Sequence, residues 1–185
     1  MAIIRVSGNL GSGKTTLCLR LADFLGYKNY YTGDIFRELA KEKGLSIEEF
    51  YKNMSSNPDL EKEIDNRQIK LMMEEDNLVV QGRLAPFQPC NSAVKKLNVF
   101  IKVSPEEGAR RQLKRRENYG RTFEEMLSLS QERAKEEMHR YQLLYGIENY
   151  LDESKFDIVL DTTNLSKEES FKALLRLIEY SLEPY

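Results

Sequence analysis

Gly8-Asn9-Leu10-Gly11-Ser12-Gly13-Lys14-Thr15 has the spacing of a phosphate-binding P-loop, with Gly8 and Gly13 framing it and a lysine and a hydroxyl residue closing it. Glycines let the backbone curl so that successive N–H groups point inward at a phosphate. Lysine reaches the outer phosphates, and the hydroxyl ligates Mg²⁺. Ile3-Ile4-Arg5-Val6 upstream reads as a buried strand. Thr16 to Leu25 downstream reads as a helix that Gly26 closes. Strand, loop and helix in this order aim a helix N-terminus at an anion.

Further apolar runs at Leu78–Val80, Val99–Val103 and Ile158–Leu160 read as buried parallel strands, and Asn29-Tyr30-Tyr31 as a weaker fifth. Helical segments separate them. Ser46-Ile47-Glu48-Glu49, Ser104-Pro105-Glu106-Glu107, Thr122-Phe123-Glu124-Glu125 and Ser166-Lys167-Glu168-Glu169 each have the form of a capping box. Asn57-Pro58 marks another helix start. The alternation predicts an α/β fold with a parallel five-stranded sheet covered on both faces, its ligands bound beyond the C-terminal strand ends.

The chain has 185 residues, a 41% hydrophobic and 31% charged composition, and a net charge of −2. One domain, 1–185, with its own core is expected. The charge balance argues against a nucleic-acid partner. No apolar run reaches membrane-spanning length, and no leader pattern precedes the first strand, so a cytoplasmic protein is expected. Cys18 and Cys90 form no motif and fit a reducing compartment, with Cys18 a core filler. His139, the single histidine, reads as a surface residue, Met72 and Met73 as helix packing, and the Pro86, Pro89, Cys90 stretch as a loop.

Arginines are concentrated near the predicted strand ends. Arg110, Arg111, Arg115 and Arg116 fall within two helical turns, with Arg111 and Arg115 expected on one face, and Arg133, Glu137 and Arg140 share another. Like charges on one face repel and gain from an anion between them, and guanidinium forks suit phosphate. Arg37 and Arg83 each stand just beyond a strand end. So much positive charge exceeds what one triphosphate needs, which predicts phosphoryl transfer between two phosphorylated molecules.

Several spaced segments resemble the nucleoside monophosphate kinases, in particular the short archaeal-type cytidylate kinases. They are Arg5-Val6-Ser7-Gly8, Thr32-Gly33-Asp34-Ile35-Phe36-Arg37, Glu63-Ile64-Asp65-Asn66-Arg67-Gln68, Gly82-Arg83-Leu84, Glu132-Arg133 with Glu137 and Arg140-Tyr141, Tyr145-Gly146-Ile147, and Asp161-Thr162-Thr163. The resemblance implies a three-layer P-loop kinase fold, with a nucleoside-monophosphate-binding segment at about 34–75 and a lid at about 110–125 hinged near Gly120. It implies ATP bound by Gly8 to Thr16, that is Gly8, Asn9, Leu10, Gly11, Ser12, Gly13, Lys14, Thr15 and Thr16. It implies the acceptor, CMP or dCMP, bound by Thr32, Asp34, Arg37, Asp65, Arg83, Arg133 and Glu137. Catalytic groups are then Lys14, Arg37, Arg83, Arg111, Arg115, Arg133 and Arg140, with Mg²⁺ held by Thr15 and, through water, Asp34. A monomer is expected. Gln81 departs from the family, which carries an acid there. That departure leaves room for a nucleotide-binding regulator without turnover, and AMP, UMP or a small alcohol remain alternative acceptors.

Overall fold

Residues alternate inward and outward along the first strand, yet both faces are apolar, and this makes it the centre of the molecule. In the computed structural model, which describes residues 1–46, 49–50, 53 and 57–183, β1 (Ala2–Gly8) is buried along its whole length. Ile4 and Val6 face one layer and Ile3 the other. Around it stand β2 (Lys28–Tyr31), β3 (Leu78–Gln81), β4 (Lys95–Lys102) and β5 (Ile158–Asp161) in the order β2-β3-β1-β4-β5, all parallel. β4 begins four residues before the predicted Val99. The exposed Lys95 and Lys96 interrupt the apolar run, but the register with β1 starts at Ala2–Lys95 and carries the strand back to them.

The helices are α1 (Lys14–Leu25), α2 (Thr32–Glu42), α3 (Pro58–Glu74), α4 (Pro105–Leu113), α5 (Phe123–Tyr145) and α6 (Lys167–Leu182). The main core lies where Leu17, Cys18 and Leu21 of α1 and Phe171, Leu174 and Ile178 of α6 pack on Ile4, Val6, Val99 and Ile101. Met72 of α3, with Ala85, Cys90 and Val94, covers the opposite face. Burial pushes the Cys18 thiol up to about 12, so it is an inert filler, as the sequence predicts. Met72 is buried and Met73 half exposed. His139 is exposed.

Helix starts follow the predicted caps, with one exception. Thr122 and Ser166 form complete boxes with Glu125 and Glu169. Ser46 and Glu49 make the same reciprocal bonds, while Ile47 and Glu48 between them lie outside the described residues. Asn57 caps α3 through the Asp59 N–H, with proline in the first turn. At Ser104 only half the box forms, because the Glu107 carboxylate turns to Arg111 (2.9 Å) and the Ser104 N–H donates to Thr163 Oγ1. α1 starts at Lys14 rather than Thr16, since Gly13 in the left-handed region is its N-cap.

A separate small core of Ile35, Phe36, Leu39, Ala40, Phe50, Leu60 and Ile64 holds α2 and α3 together apart from the sheet. Among the described residues no helix is long and apolar enough to cross a membrane.

Candidate active site

The first turn of α1 and the C-terminal ends of β1, β3 and β2 converge on one edge of the sheet. In the P-loop, a Cβ on Gly8 would lie 2.1 Å from the Ile101 carbonyl oxygen, and one on Gly11 would lie 2.3 Å from that of Gly108. Only glycine lets the loop lie this close to β4 and α4. Gly108 is the reciprocal requirement, because its own Cβ would meet Leu10 O at 2.6 Å. Asn9 secures the loop by accepting the Val103 N–H on Oδ1 (3.2 Å). Lys14 Nζ folds back to donate to Gly8 O (2.8 Å), Asn9 O (2.6 Å) and Ser12 Oγ (3.3 Å). Burial, then the neighbouring Arg83, push its ammonium well below the ordinary lysine value, so an anion entering the loop meets a cation that gains from pairing.

Arg83, after β3, donates from Nη1 to the same Gly8 carbonyl (3.1 Å) and from Nε to Glu137 Oε2 (2.9 Å). Glu137 also accepts Arg133 Nε on Oε1 (3.0 Å) and the Tyr150 hydroxyl on Oε2 (2.8 Å). Burial alone would raise this carboxyl. Arg83, then Arg133, overcome the burial and bring it down to about 2. The same carboxylate holds the Arg83 guanidinium above its ordinary value against desolvation. Glu137 therefore organises two arginines, and its own oxygens are occupied.

These groups border a pocket of about 230 Å³ whose wall includes Thr32, Arg37, Asp65, Gln68, Gln81 and Arg140. Arg140 pairs with Glu61 at 2.6 Å, a buried carboxylate from α3. Asp65, also buried, receives the Tyr145 hydroxyl on Oδ2 and Gln88 Nε2 on Oδ1 (2.8 Å). Arg37 lies exposed, paired with Asp34 at 2.5 Å and 5.5 Å from the centre of the Tyr31 ring. Asp34 is exposed and directed to that arginine. The loop after β3 lines this pocket with Gly82, Arg83 and Leu84, and its Gln88 side chain meets Asp65 behind the wall. Pro86 and Cys90 pack inward and Pro89 is exposed.

A second cleft, about 460 Å³, lies between the P-loop, α4 and the start of α6. Thr16, Arg111, Lys114 and Arg115 line it. Arg111 and Arg115 do not share a helical face as expected, because α4 ends at Leu113 and Arg115 has extended backbone. Arg111 instead donates to Thr162 O (2.6 Å) and Thr162 Oγ1 (3.1 Å), which ties α4 to the turn after β5. Arg110 stands over the Phe123 ring at 5.2 Å. Arg115 borders both this cleft and a third one under residues 117–121, which shares Arg133, Glu137 and Arg140 with the first pocket. The stretch around Gly120 is exposed, with Tyr119 at 93%.

The sequence reading missed Tyr150, Gln88, Glu61 and Gly108. A usable signal existed for Glu61: with Asp65 and Gln68 it recurs at helical spacing, a polar stripe beside the apolar Leu60 and Ile64.

A metal site was also expected at Thr15, with Asp34 acting through water; Asp34 instead pairs with Arg37. Thr15 is exposed at the mouth of the P-loop, and its Oγ1 accepts from Gln81 Nε2 (2.9 Å). Gln81 Oε1 is buried without a partner. A hydroxyl ligand beside an unsatisfied acceptor fits a hydrated divalent cation.

The sheet order, the phosphate loop and the facing arginines define a P-loop phosphotransferase. The chain matches the model of the cytidylate kinase-like family over residues 3–164 and belongs to that family. It is 39% identical to the cytidylate kinase of Methanopyrus kandleri, over 98% of this chain and 95% of that one. It is also 39% identical to the cytidylate kinase of Pyrococcus furiosus, over 98% and 90%. Among solved structures, a shikimate kinase from Bacteroides thetaiotaomicron superposes with a TM-score of 0.64 at 17% identity, covering 97% of this chain and 98% of its own. That likeness establishes the fold.

Proposed function

We propose that the protein transfers the γ-phosphate of ATP to CMP or dCMP, giving CDP or dCDP and ADP. One observation carries the reading: Lys14, from the phosphate loop, and Arg83, from the acceptor-side pocket, donate to the same carbonyl oxygen, that of Gly8. Two anion sites thus meet at one backbone atom, which is what direct passage of a phosphoryl group between two nucleotides requires. The relatives named cytidylate kinase support the choice of acceptor.

In this reading the P-loop amides and Lys14 hold the donor phosphates, and the second cleft takes the donor's nucleoside. Arg83 and Arg133, aligned by Glu137, hold the acceptor phosphate with Arg37. Arg140 and Arg115 stand where the third cleft joins the other two and would close over the transferring group. Arg111 acts from its anchorage on the Thr162 turn. No general base is needed, because a nucleotide phosphate is ionised at neutral pH, so catalysis is positioning and charge neutralisation. Mg²⁺, when bound, would neutralise donor phosphate oxygens; Thr15 would ligate it and Gln81 Oε1 would accept from its water. An alcohol acceptor would need a carboxylate at the nucleophile. Asp34, the candidate from the sequence, faces Arg37 instead, and the pocket carboxylates Glu61, Asp65 and Glu137 are engaged with Arg140, Gln88 and Arg83, which weighs against that alternative.

A coupled assay with ATP, Mg²⁺ and a panel of CMP, dCMP, UMP and AMP tests the proposal. CDP formation with CMP preferred is the expected result. ATP binding without transfer to any acceptor would replace this reading with that of a regulator.

A further inference from the structure

Behind the pocket wall runs a chain of side-chain hydrogen bonds that none of the proposed catalytic steps uses. The Thr32 hydroxyl lies within bonding distance of Gln68 Oε1 and of the Gln81 carbonyl. Gln68 Nε2 donates to Gln88 Oε1 (2.8 Å), and Gln88 Nε2 donates to Asp65 Oδ1 (2.8 Å). The Tyr145 hydroxyl closes the far end on Asp65 Oδ2. Asp65 and Gln68 line the acceptor pocket, and Gln88 stands behind them. A Cβ on Gly82 would lie 2.4 Å from Thr32 Oγ1, so the bare glycine leaves the room this chain occupies.

The chain has only one consistent polarity. An ionised carboxylate accepts and never donates. Gln88 must therefore present its amide nitrogen to Asp65, which leaves its oxygen facing Gln68. Gln68 must then present its own nitrogen to Gln88, which turns its oxygen toward Thr32, whose single proton serves either that oxygen or the Gln81 carbonyl. Flipping either amide would set two acceptors against each other. Orientation is thus dictated by Asp65 and passed on through Gln88. The main chain of Gln88 is fixed as well. Buried Arg5, in the central strand, donates from Nη1 to the Gln88 carbonyl (2.8 Å) and from Nε to Asn98 Oδ1 (2.9 Å).

Each amide nitrogen carries two hydrogens, and one on Gln68 remains unused by this chain. Each Asp65 oxygen accepts one bond, from Gln88 or Tyr145, and keeps a further lone pair, so the wall offers the pocket an acceptor at Asp65 and an N–H donor at Gln68. A 4-aminopyrimidine presents the complement on its edge: an amino donor beside a ring-nitrogen acceptor. A 4-oxopyrimidine presents an oxygen beside a ring N–H, the reverse order, and meets like against like. We infer that Gln88, with Tyr145, is a positioning residue for base selection: it locks Asp65 and Gln68 in the orientation that accepts cytosine and rejects uracil. The inference rests on the acceptor assignment above and adds the groups that read the base.

The experiment measures CMP and UMP binding by calorimetry, and kcat and KM for CMP, UMP and ATP, in wild type, Gln88→Ala, Gln88→Met, Gln88→Glu and Tyr145→Phe. A site set by one oriented amide should lose roughly tenfold in CMP affinity when that amide goes. We expect CMP KM to rise by about that factor in Gln88→Met, and the preference for CMP over UMP to fall with it, while the ATP KM holds. Gln88→Glu should lose more, because it sets a carboxylate against Asp65. Tyr145→Phe, altered on the exposed side, should shift selectivity in the same direction and keeps the test open if the Gln88 variants do not fold. Wild-type binding without preference for CMP over UMP, or folded variants with unchanged preference, would overturn the inference. If the wild type prefers CMP but transfers no phosphate to it, the kinase reading fails and the base selection stands.

Discussion

Lys14 and Glu137 show how burial sets the chemistry of single groups at this site. Lys14 is held among carbonyl oxygens with its ammonium depressed, so its charge is stabilised most when a phosphate arrives. Replacing it with alanine should lower turnover on CMP by ~10³-fold or more, because a preorganised charge in a water-poor site is lost. Calorimetry should show CMP still bound, since the acceptor arginines remain. Glu137 has a different signature. Its carboxyl falls from an ordinary 4.5 to about 2, so its ionised form stabilises the fold. The shift corresponds to roughly 3 kcal/mol. A depressed acid contributes in full above the unfolded value, loses its contribution as the pH falls below 4.5, and contributes nothing below about 2. Urea unfolding of wild type and Glu137→Gln should therefore differ most at neutral pH and converge on acidification. A constant difference down to pH 2 would contradict the assigned pairing. Glu137 was legible as part of the site from its spacing to Arg133 and Arg140. That its oxygens would go to Arg83 and Tyr150 was not, since those partners come from distant parts of the chain.

At the scale of elements, the P-loop and α4 meet through two glycines, Gly11 and Gly108. In an ordinary helix interior, glycine to alanine stabilises by about 0.5–1 kcal/mol through backbone entropy. Here the new Cβ of Gly108→Ala would lie 2.6 Å from the Leu10 carbonyl oxygen, and backbone must give way. We expect the opposite sign: a lower melting temperature than wild type and a raised ATP KM. A stabilised variant with normal ATP affinity would refute the close contact. The sequence announced Gly11 through the loop motif, but nothing in the surroundings of Gly108 marks it. Its necessity comes from the element packed against it. The Ser104 cap carries the same lesson: the Glu107 carboxylate that would complete the box goes to Arg111, and the Ser104 N–H goes to Thr163 Oγ1 in the turn after β5.

For the whole molecule, the decisive feature is that α2 and the first half of α3 share a small core, while Met72 near the end of α3 packs on the sheet. Such a unit can loosen without melting the rest. Leu39→Ala removes a fully buried side chain from it, a loss on the order of 3 kcal/mol for such cavities. We expect the damage to fall on the acceptor: CMP KM should rise and hydrogen exchange in α2 and the first half of α3 quicken, with ATP KM and exchange in β1 nearly unchanged. Uniform quickening through β1 and β4 would show that the small core is not independent. The sequence by itself determined the parallel sheet, the phosphate loop and the supply of arginines, because periodicity, glycine spacing and caps act within a few residues of chain. It could not decide which carboxylate serves which arginine, which amide is held against Asp65, or where α4 must lack a side chain. Those depend on contacts between segments as far apart as Asp65 and Tyr145 or Arg83 and Glu137, and only the folded chain brings them within bonding distance.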